Sequence, residues 1–317
     1  MTINGRVITP DSRLSQFSGD SNILELSTTK RVSASGPVTA VYDWENMEEV
    51  EAIVDLALQK IGSSEEPTSV LREYRKTFLQ GRPLDLSSDE TPIEGDTRLL
   101  FIGRMSLWED LVSEFESIEN IRDPLEIKFY GEVSADYGGP RKEFLRLALD
   151  EIKERIINHE DGIYSLFQKT DLIATHGYYY AGMVVGMSAL QNGPCADFLD
   201  NLVSNWHDKE HYTMFKKGLE RVGLWQLLEK KPSVKYLFRR RIAKVTVTKL
   251  LYLIQTPFHE EGSNRRKLEE RTYSAFRQYL REVAAGRKGS MTLEKIMQFI
   301  TGSAEEPVLG FEMRPFF

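Results

Sequence analysis

The sequence predicts an α+β fold that is predominantly helical, and three observations carry the prediction. Apolar residues recur at helical spacing along Met47 to Ile61, Pro140 to Ile157 and Arg265 to Ala284. Two short runs read as strands instead: Leu99 to Ile102 is apolar throughout, and Leu125, Ile127 and Phe129 alternate with Glu126, Lys128 and Tyr130. Glycine, proline and capping residues fall between these segments, where a chain must change direction.

Taken in order, the first forty residues are rich in Ser, Thr and Gly. They show only short β-like runs such as Asn22 to Leu26, so disorder competes with structure there. The helix from Met47 has Asn46 as its expected cap and Glu49 three residues on. Val50, Ile53, Val54, Ala57 and Ile61 form its apolar face, and Gly62 its stop. A second helix is expected from about Val70 to Leu79, ending at Gly81, and Arg82 to Asp96 reads as a linker or long loop. Ser106 is the expected cap of a helix that buries Leu107, Leu111, Val112, Phe115 and Ile118. After the second strand and a glycine turn, Pro140 suits the first position of the next helix, because its missing N–H had no partner to lose there. The stripe of that helix is Phe144, Leu145, Ala148, Leu149, Ile152 and Ile156.

The second half reads as mostly helical. Pro194 should start a helix carrying Phe198, Leu199, Leu202 and Val203, and Tyr212 to Leu228 should form another, interrupted near Gly223. Lys230 to Lys249 holds eight basic residues and no acid. Val234, Leu237, Phe238 and Ile242 make it an amphipathic helix with a solvated basic face; contact with phosphate or an acidic partner, or a nuclear import signal, are the alternatives around Arg239, Arg240 and Arg241. Thr256 to Asn264 reads as a hinge, and a last helix, capped by Ser290, should run to Ile300 and end at Gly302.

Composition bounds function. A net charge of −7 argues against a general nucleic-acid binder. No apolar run approaches the roughly 20 residues that span a bilayer, and the first residues lack the apolar core of a secretory signal. One cysteine, Cys195, cannot form an internal disulfide, which fits a reducing compartment and a cytoplasmic or nuclear location.

Four features invite chemistry. In FYGEVSADYGGPRKEFL (Phe129 to Leu145), Gly138 and Gly139 would allow backbone angles closed to other residues. A helix N-terminus with Arg141 beside it suits an anion. The plainer reading is a tight corner in which Asp136 and Glu143 satisfy backbone donors. Cys195, after Pro194, is either a nucleophile activated at a helix start or a small apolar filler of a turn. His207, Glu210 and His211 fit the H-x-x-E-H pattern of a zinc hydrolase, but no third ligand can be named. The basic run is the fourth.

The first of these strings resembles the signature of the N-lobe of HECT-type ubiquitin ligases, through Gly131, Glu132, Asp136, Gly138, Gly139, Arg141, Glu143 and Phe144. MSALQNGPCADFL (Met187 to Leu199) is similar to a downstream helix–turn–helix of that lobe, and its Gly193-Pro194 turn is most like the G2/M-phase-specific ubiquitin-ligase group. Phe215, Gly218 and Leu219, then EGSNRRKLE (Glu261 to Glu269), continue the similarity. ITGSAEEPVLGF resembles the early C-lobe at Thr301, Gly302, Pro307, Gly310 and Phe311.

The resemblance implies an N-terminal extension over 1–96, a HECT-like N-lobe over 97–256, a hinge over 257–264 and the beginning of a C-lobe over 265–317. It implies transfer of ubiquitin from a conjugating enzyme through a cysteine thioester, with ubiquitin and that enzyme as partners and no metal or cofactor. The protein substrate is not identified. The signature residues would organise the lobes, and none is a nucleophile. The family's catalytic cysteine lies beyond Gly310-Phe311, and the chain has no cysteine there. The interval that holds the family's enzyme-docking subdomain is also short. Two expectations follow: a ligase cut short before its cysteine, or a non-catalytic interaction module. The three aromatic residues Phe311, Phe316 and Phe317 would be left on an exposed edge, which favours the first.

Overall fold

The computed structural model describes residues 2–3, 6–7, 44–84, 95–133, 138–239, 245–254 and 256–311. The chain divides into a unit over Met1–Asp43 and a second over Trp44–Phe317. In the first, β1 (Thr2–Ile3) pairs antiparallel with β2 (Arg6–Val7). The β-like run at Asn22 to Leu26 lies outside the described residues.

The second unit is mostly helical with two small sheets. Helices α1 (Trp44–Ile61) and α2 (Pro67–Phe78) pack on each other as a hairpin. The first helix begins ahead of Asn46, which therefore lies inside it and is not its cap. Its expected face is buried at Val50, Ile53, Val54 and Ala57. Helix α2 is capped by Glu66, whose carboxylate accepts the Thr68 N–H at 3.1 Å and the Ser69 N–H at 2.5 Å. Hydrogen bonds from Ser69 and Thr68 hold the pKa of that carboxyl at about 2. Both helices bury side chains in the same core as the rest of the unit.

Strand β3 (Arg98–Ile102) pairs in parallel with β4 (Leu125–Phe129), Leu100 opposite Ile127, with α3 (Leu107–Glu116) as the crossover. Ser106 stands at the expected cap of α3, but the capping chemistry differs. Asp110 accepts both the Ser106 hydroxyl and the Gly103 N–H at 2.7 Å, and Glu109 takes no part in it. Helix α4 (Gly139–Ile156) carries the full predicted stripe inward and runs into the hairpin β5 (Ile157–Glu160) and β6 (Ile163–Leu166). The sequence pattern does not announce this hairpin. Its strands are four residues each, too short for a period to register.

Helices α5 (Thr170–Ala174) and α6 (Gly177–Leu190) follow. Helix α6 is apolar on every side and buried along almost its whole length, as such a helix must be when it forms the middle of a core. Next come α7 (Leu199–Ser204), α8 (Glu210–Arg221) and α9 (Leu224–Lys230), the last two broken at Gly223 as expected. The helix expected from Pro194 starts only at Leu199, since residues 194–198 are not helical.

The basic run is a 3₁₀ helix over Pro232–Phe238, and Val234, Leu237 and Phe238 are buried. Arg240, Arg241 and Ile242 lie outside the described residues. Lys244 also lies outside the described residues, and four of the other cations pair with acids: Lys230 with Asp55, Lys231 with Glu65, Arg239 with Asp200 and Lys249 with Glu306.

A second, smaller core is built by α10 (Val247–Leu253), α11 (Asn264–Ala284) and α12 (Leu293–Thr301), around Leu250, Leu280, Val283 and Met297. The non-helical segment at 256–263 lies inside this small core's own elements, because α10 packs with α11 and α12 rather than with the main core. Thr292, not Ser290, caps α12, and Gly302 ends it with φ +75°. Among the described residues no helix is long and apolar enough to cross a membrane.

Candidate functional site

The strand–turn–helix that carries the first signature sits where the parallel strands end. Gly131 leaves β4 at φ +80°, and Gly138 enters α4 at φ +113°, a region that favours glycine. Gly139 is already helical, and a methyl group added there would meet no atom of the described residues within 4 Å. The expectation that both glycines serve the backbone angle therefore holds for Gly138 alone. Alanine at Gly138 is expected to cost about 1–3 kcal/mol and at Gly139 less than about 0.5 kcal/mol, read by urea denaturation of the two variants.

Beside this turn, Arg104 reaches Glu132 at 2.6 Å and Glu143 at 2.9 Å and lies 4.1 Å over the Phe129 ring. Its hydrogen bond holds the Glu132 carboxyl below the usual range, and the two carboxylates push the guanidinium up. The side chains of Arg104 and Glu132 are each 41% exposed, so the trio ties the turn to β3 without contributing much stability. Glu143 is thus a partner of Arg104 and not a satisfier of backbone donors. Asp136 lies outside the described residues.

Arg141 does not serve the alternative in which it binds an anion. Its side chain is fully buried and donates to the carbonyl oxygens of Gln191, at 3.3 Å, and Leu84. An arginine turned into the core is not available to an anion at the helix start. Gln191 in turn accepts the Leu125 N–H through Oε1 at 2.8 Å. Arg141 therefore pins the first signature to the second one. Phe144 is fully buried, its ring 6.4 Å from that of Phe115.

The C-terminal signature comes to the same place. A side chain at Gly302 would stand 3.2 Å from the Gly139 Cα, and Lys142 lies 5.7 Å from the centre of the Phe311 ring. Thr301 closes its own helix end, donating to Met297 at 2.8 Å and accepting from the Ser303 N–H at 3.1 Å. Pro307 and Gly310 form a turn, the Gly310 N–H on the Pro307 carbonyl at 2.8 Å, which presses Val308 and Leu309 on the main core. Residues far apart in the chain thus converge on the start of α4. Of those involved, sequence reasoning does not find Arg104, Leu84 or the role of Gln191. No local pattern marks them, because their partners lie 28 to 66 residues away.

Cys195 is half-buried against the main core in a segment that is not a helix start, so the helix dipole that would activate a thiol is not there. It lines a cavity of about 340 Å³ between α4, the 194–198 segment and residues 303–308. His207 precedes α8 while His211 lies inside it, so the H-x-x-E-H spacing does not set two imidazoles on one helical face. Among the described residues no group of three or more His, Cys, Asp or Glu is placed to hold a metal ion.

His211 is buried, its ring 5.4 Å from that of Tyr178 and 4.9 Å from that of Tyr212. Burial is the main cause that holds its pKa below the usual value; Lys209 and His207 add repulsion, while the Leu166 backbone and Glu210 oppose it. The unfolded chain therefore binds the proton first. Stability conferred by neutral His211 is full above about 6.5, the unfolded value, and is lost as pH falls below it. His211→Phe is expected to flatten the dependence of the urea midpoint on pH below that value.

Comparison with family models and with curated proteins finds no match to the chain.

Proposed function

We propose that the chain works in ubiquitin-protein transfer as a HECT-type module, an N-lobe followed by the opening part of a C-lobe. One observation supports this reading best. The three strings that resemble the family, at Phe129 to Leu145, Met187 to Leu199 and Ile300 to Phe311, meet at the N-terminus of α4 through Arg141, Gln191, Gly302 and Phe311. Strings that resembled the family by accident would have no reason to pack on one another.

In this reading the gathered residues hold the lobes together and the chemistry is done by a thiol. A thiolate attacks the thioester carbonyl carbon of the charged conjugating enzyme, and the enzyme's own thiolate leaves. None of the residues at the α4 start can do this. The one thiol of the chain, Cys195, is packed against the core. That burial favours a second reading, in which this chain binds the conjugating enzyme or ubiquitin without carrying the thioester.

The test is to incubate the purified chain with activating enzyme, ATP, labelled ubiquitin and a panel of conjugating enzymes. Adducts are read on gels with and without reductant, and binding by interferometry. Saturable binding without a reductant-sensitive adduct is the expected result and selects the interaction module. An adduct abolished by Cys195→Ala would make Cys195 the carrier. Neither binding nor adduct across the panel would overturn the proposal.

A further inference from the structure

Helix α11 carries a surplus of positive charge on a face that is exposed along its whole length. Between Asn264 and Ala284 there are six cations and three acids, a surplus of positive charge in a chain of net charge −7. The acids are engaged: Glu269 with His259, Glu270 with Arg266, and Glu282 with Lys288 and with the amide of Gln278. On the side facing away from the buried Leu280 and Val283, exposed Lys267, Arg271, Ser274, Gln278 and Arg281 follow one another at alternating steps of four and three. They form one straight row of about 21 Å along the helix.

A face that served only solubility would alternate charges at four-residue spacing, as Arg266 and Glu270 do. Here Lys267 and Arg271 stand at that spacing with like charge, and so do Arg277 and Arg281. Like charges one turn apart destabilise a helix. The row therefore carries a local cost that an anionic partner would remove.

We propose that the outer face of α11 docks an acidic polypeptide segment of a partner protein, with carboxylates at one-turn intervals over about four turns. A nucleic acid fits less well. No aromatic side chain lies in the row for bases to stack on. The net negative charge of the chain repels a long polyanion more than a short acidic segment. This surface lies apart from the convergence at α4 and does not depend on the ubiquitin reading.

The test uses the full chain and a fluorescent helical peptide of about 14 residues with glutamates at three- and four-residue steps. Binding is followed by anisotropy. The variant K267Q/R271Q/R281Q is compared with a control of equal charge change elsewhere, K60Q/K76Q/K235Q. The expected result is at least a tenfold weaker affinity (about 1.4 kcal/mol) in the first variant and less than about twofold change in the control. A further loss is expected on raising salt from roughly 50 to roughly 200 mM. Thermal melts should show the first variant no less stable than the parent, since it relieves repulsion. No peptide binding, or equal loss in both variants, overturns the proposal. So does tighter binding of single-stranded RNA or of anionic vesicles than of the peptide.

Discussion

Alanine at Gly218 is expected to unfold the second unit or to leave it at least about 3 kcal/mol less stable. Gly218 of α8 and Gly182 of α6 face each other where the two helices cross. A Cβ at Gly218 would lie 2.0 Å from the Tyr179 carbonyl oxygen and 2.8 Å from the Met183 nitrogen, and one at Gly182 would lie 2.1 Å from the Phe215 carbonyl oxygen. Every one of these atoms is backbone. No rotamer change can make room, so the helices themselves would have to move apart, and α6 is buried almost throughout. Close-packed interiors resist such shifts. Urea denaturation followed by circular dichroism measures the loss. Gly139→Ala is the control, because it adds the same methyl group to a helix where no atom of the described residues stands within 4 Å. A loss below about 1 kcal/mol at Gly218 would mean that the crossing is looser than these distances state.

Methionine at Arg141 is the second large effect, expected at roughly 3 kcal/mol or more. The substitution keeps an apolar stem of similar length and removes the guanidinium that bonds the Leu84 and Gln191 carbonyl oxygens. Both acceptors sit where a charged donor served them, and a buried acceptor left unserved costs most of its desolvation. Lysine should recover only part of the loss, since a single ammonium cannot fork between two carbonyls as the planar guanidinium does. The same denaturation curves test this, and amide exchange adds a sharper readout. The Leu125 N–H, held by Gln191 Oε1 at 2.8 Å, should exchange faster when Gln191 loses its anchor. If Arg141→Met unfolds at the same urea concentration as the parent, Arg141 does not pin the turn.

The helices whose apolar faces can be counted are legible in the order of residues alone. In α4 the predicted stripe is the buried stripe, and in α1 it is buried except at the half-buried Ile61, because a 3.6-residue repeat over eighteen residues can be satisfied only by a helix against a core. The alternation at Leu125 to Phe129 is legible for the equivalent reason. The ends are less so. Asn46, Ser290 and Pro194 all have the chemistry of a helix start. Yet the starts fall at Trp44, after Thr292 and, in the 194–204 stretch, at Leu199, because a cap is chosen by where the preceding chain must go.

The sequence by itself thus determined the class of the fold and the strands and helices that have a period. It did so because burial of an apolar stripe is a local property of the chain. Only the tertiary structure decided what the polar residues do. Arg141, whose place in the sequence suits an anion, points into the core; Glu143 pairs with an Arg104 that no motif singles out; the cations near Lys230 are neutralised by Asp55, Glu65 and Asp200. Each of these outcomes depends on a partner tens to hundreds of residues away. A charge in a sequence carries no record of the opposite charge that folding will bring to it.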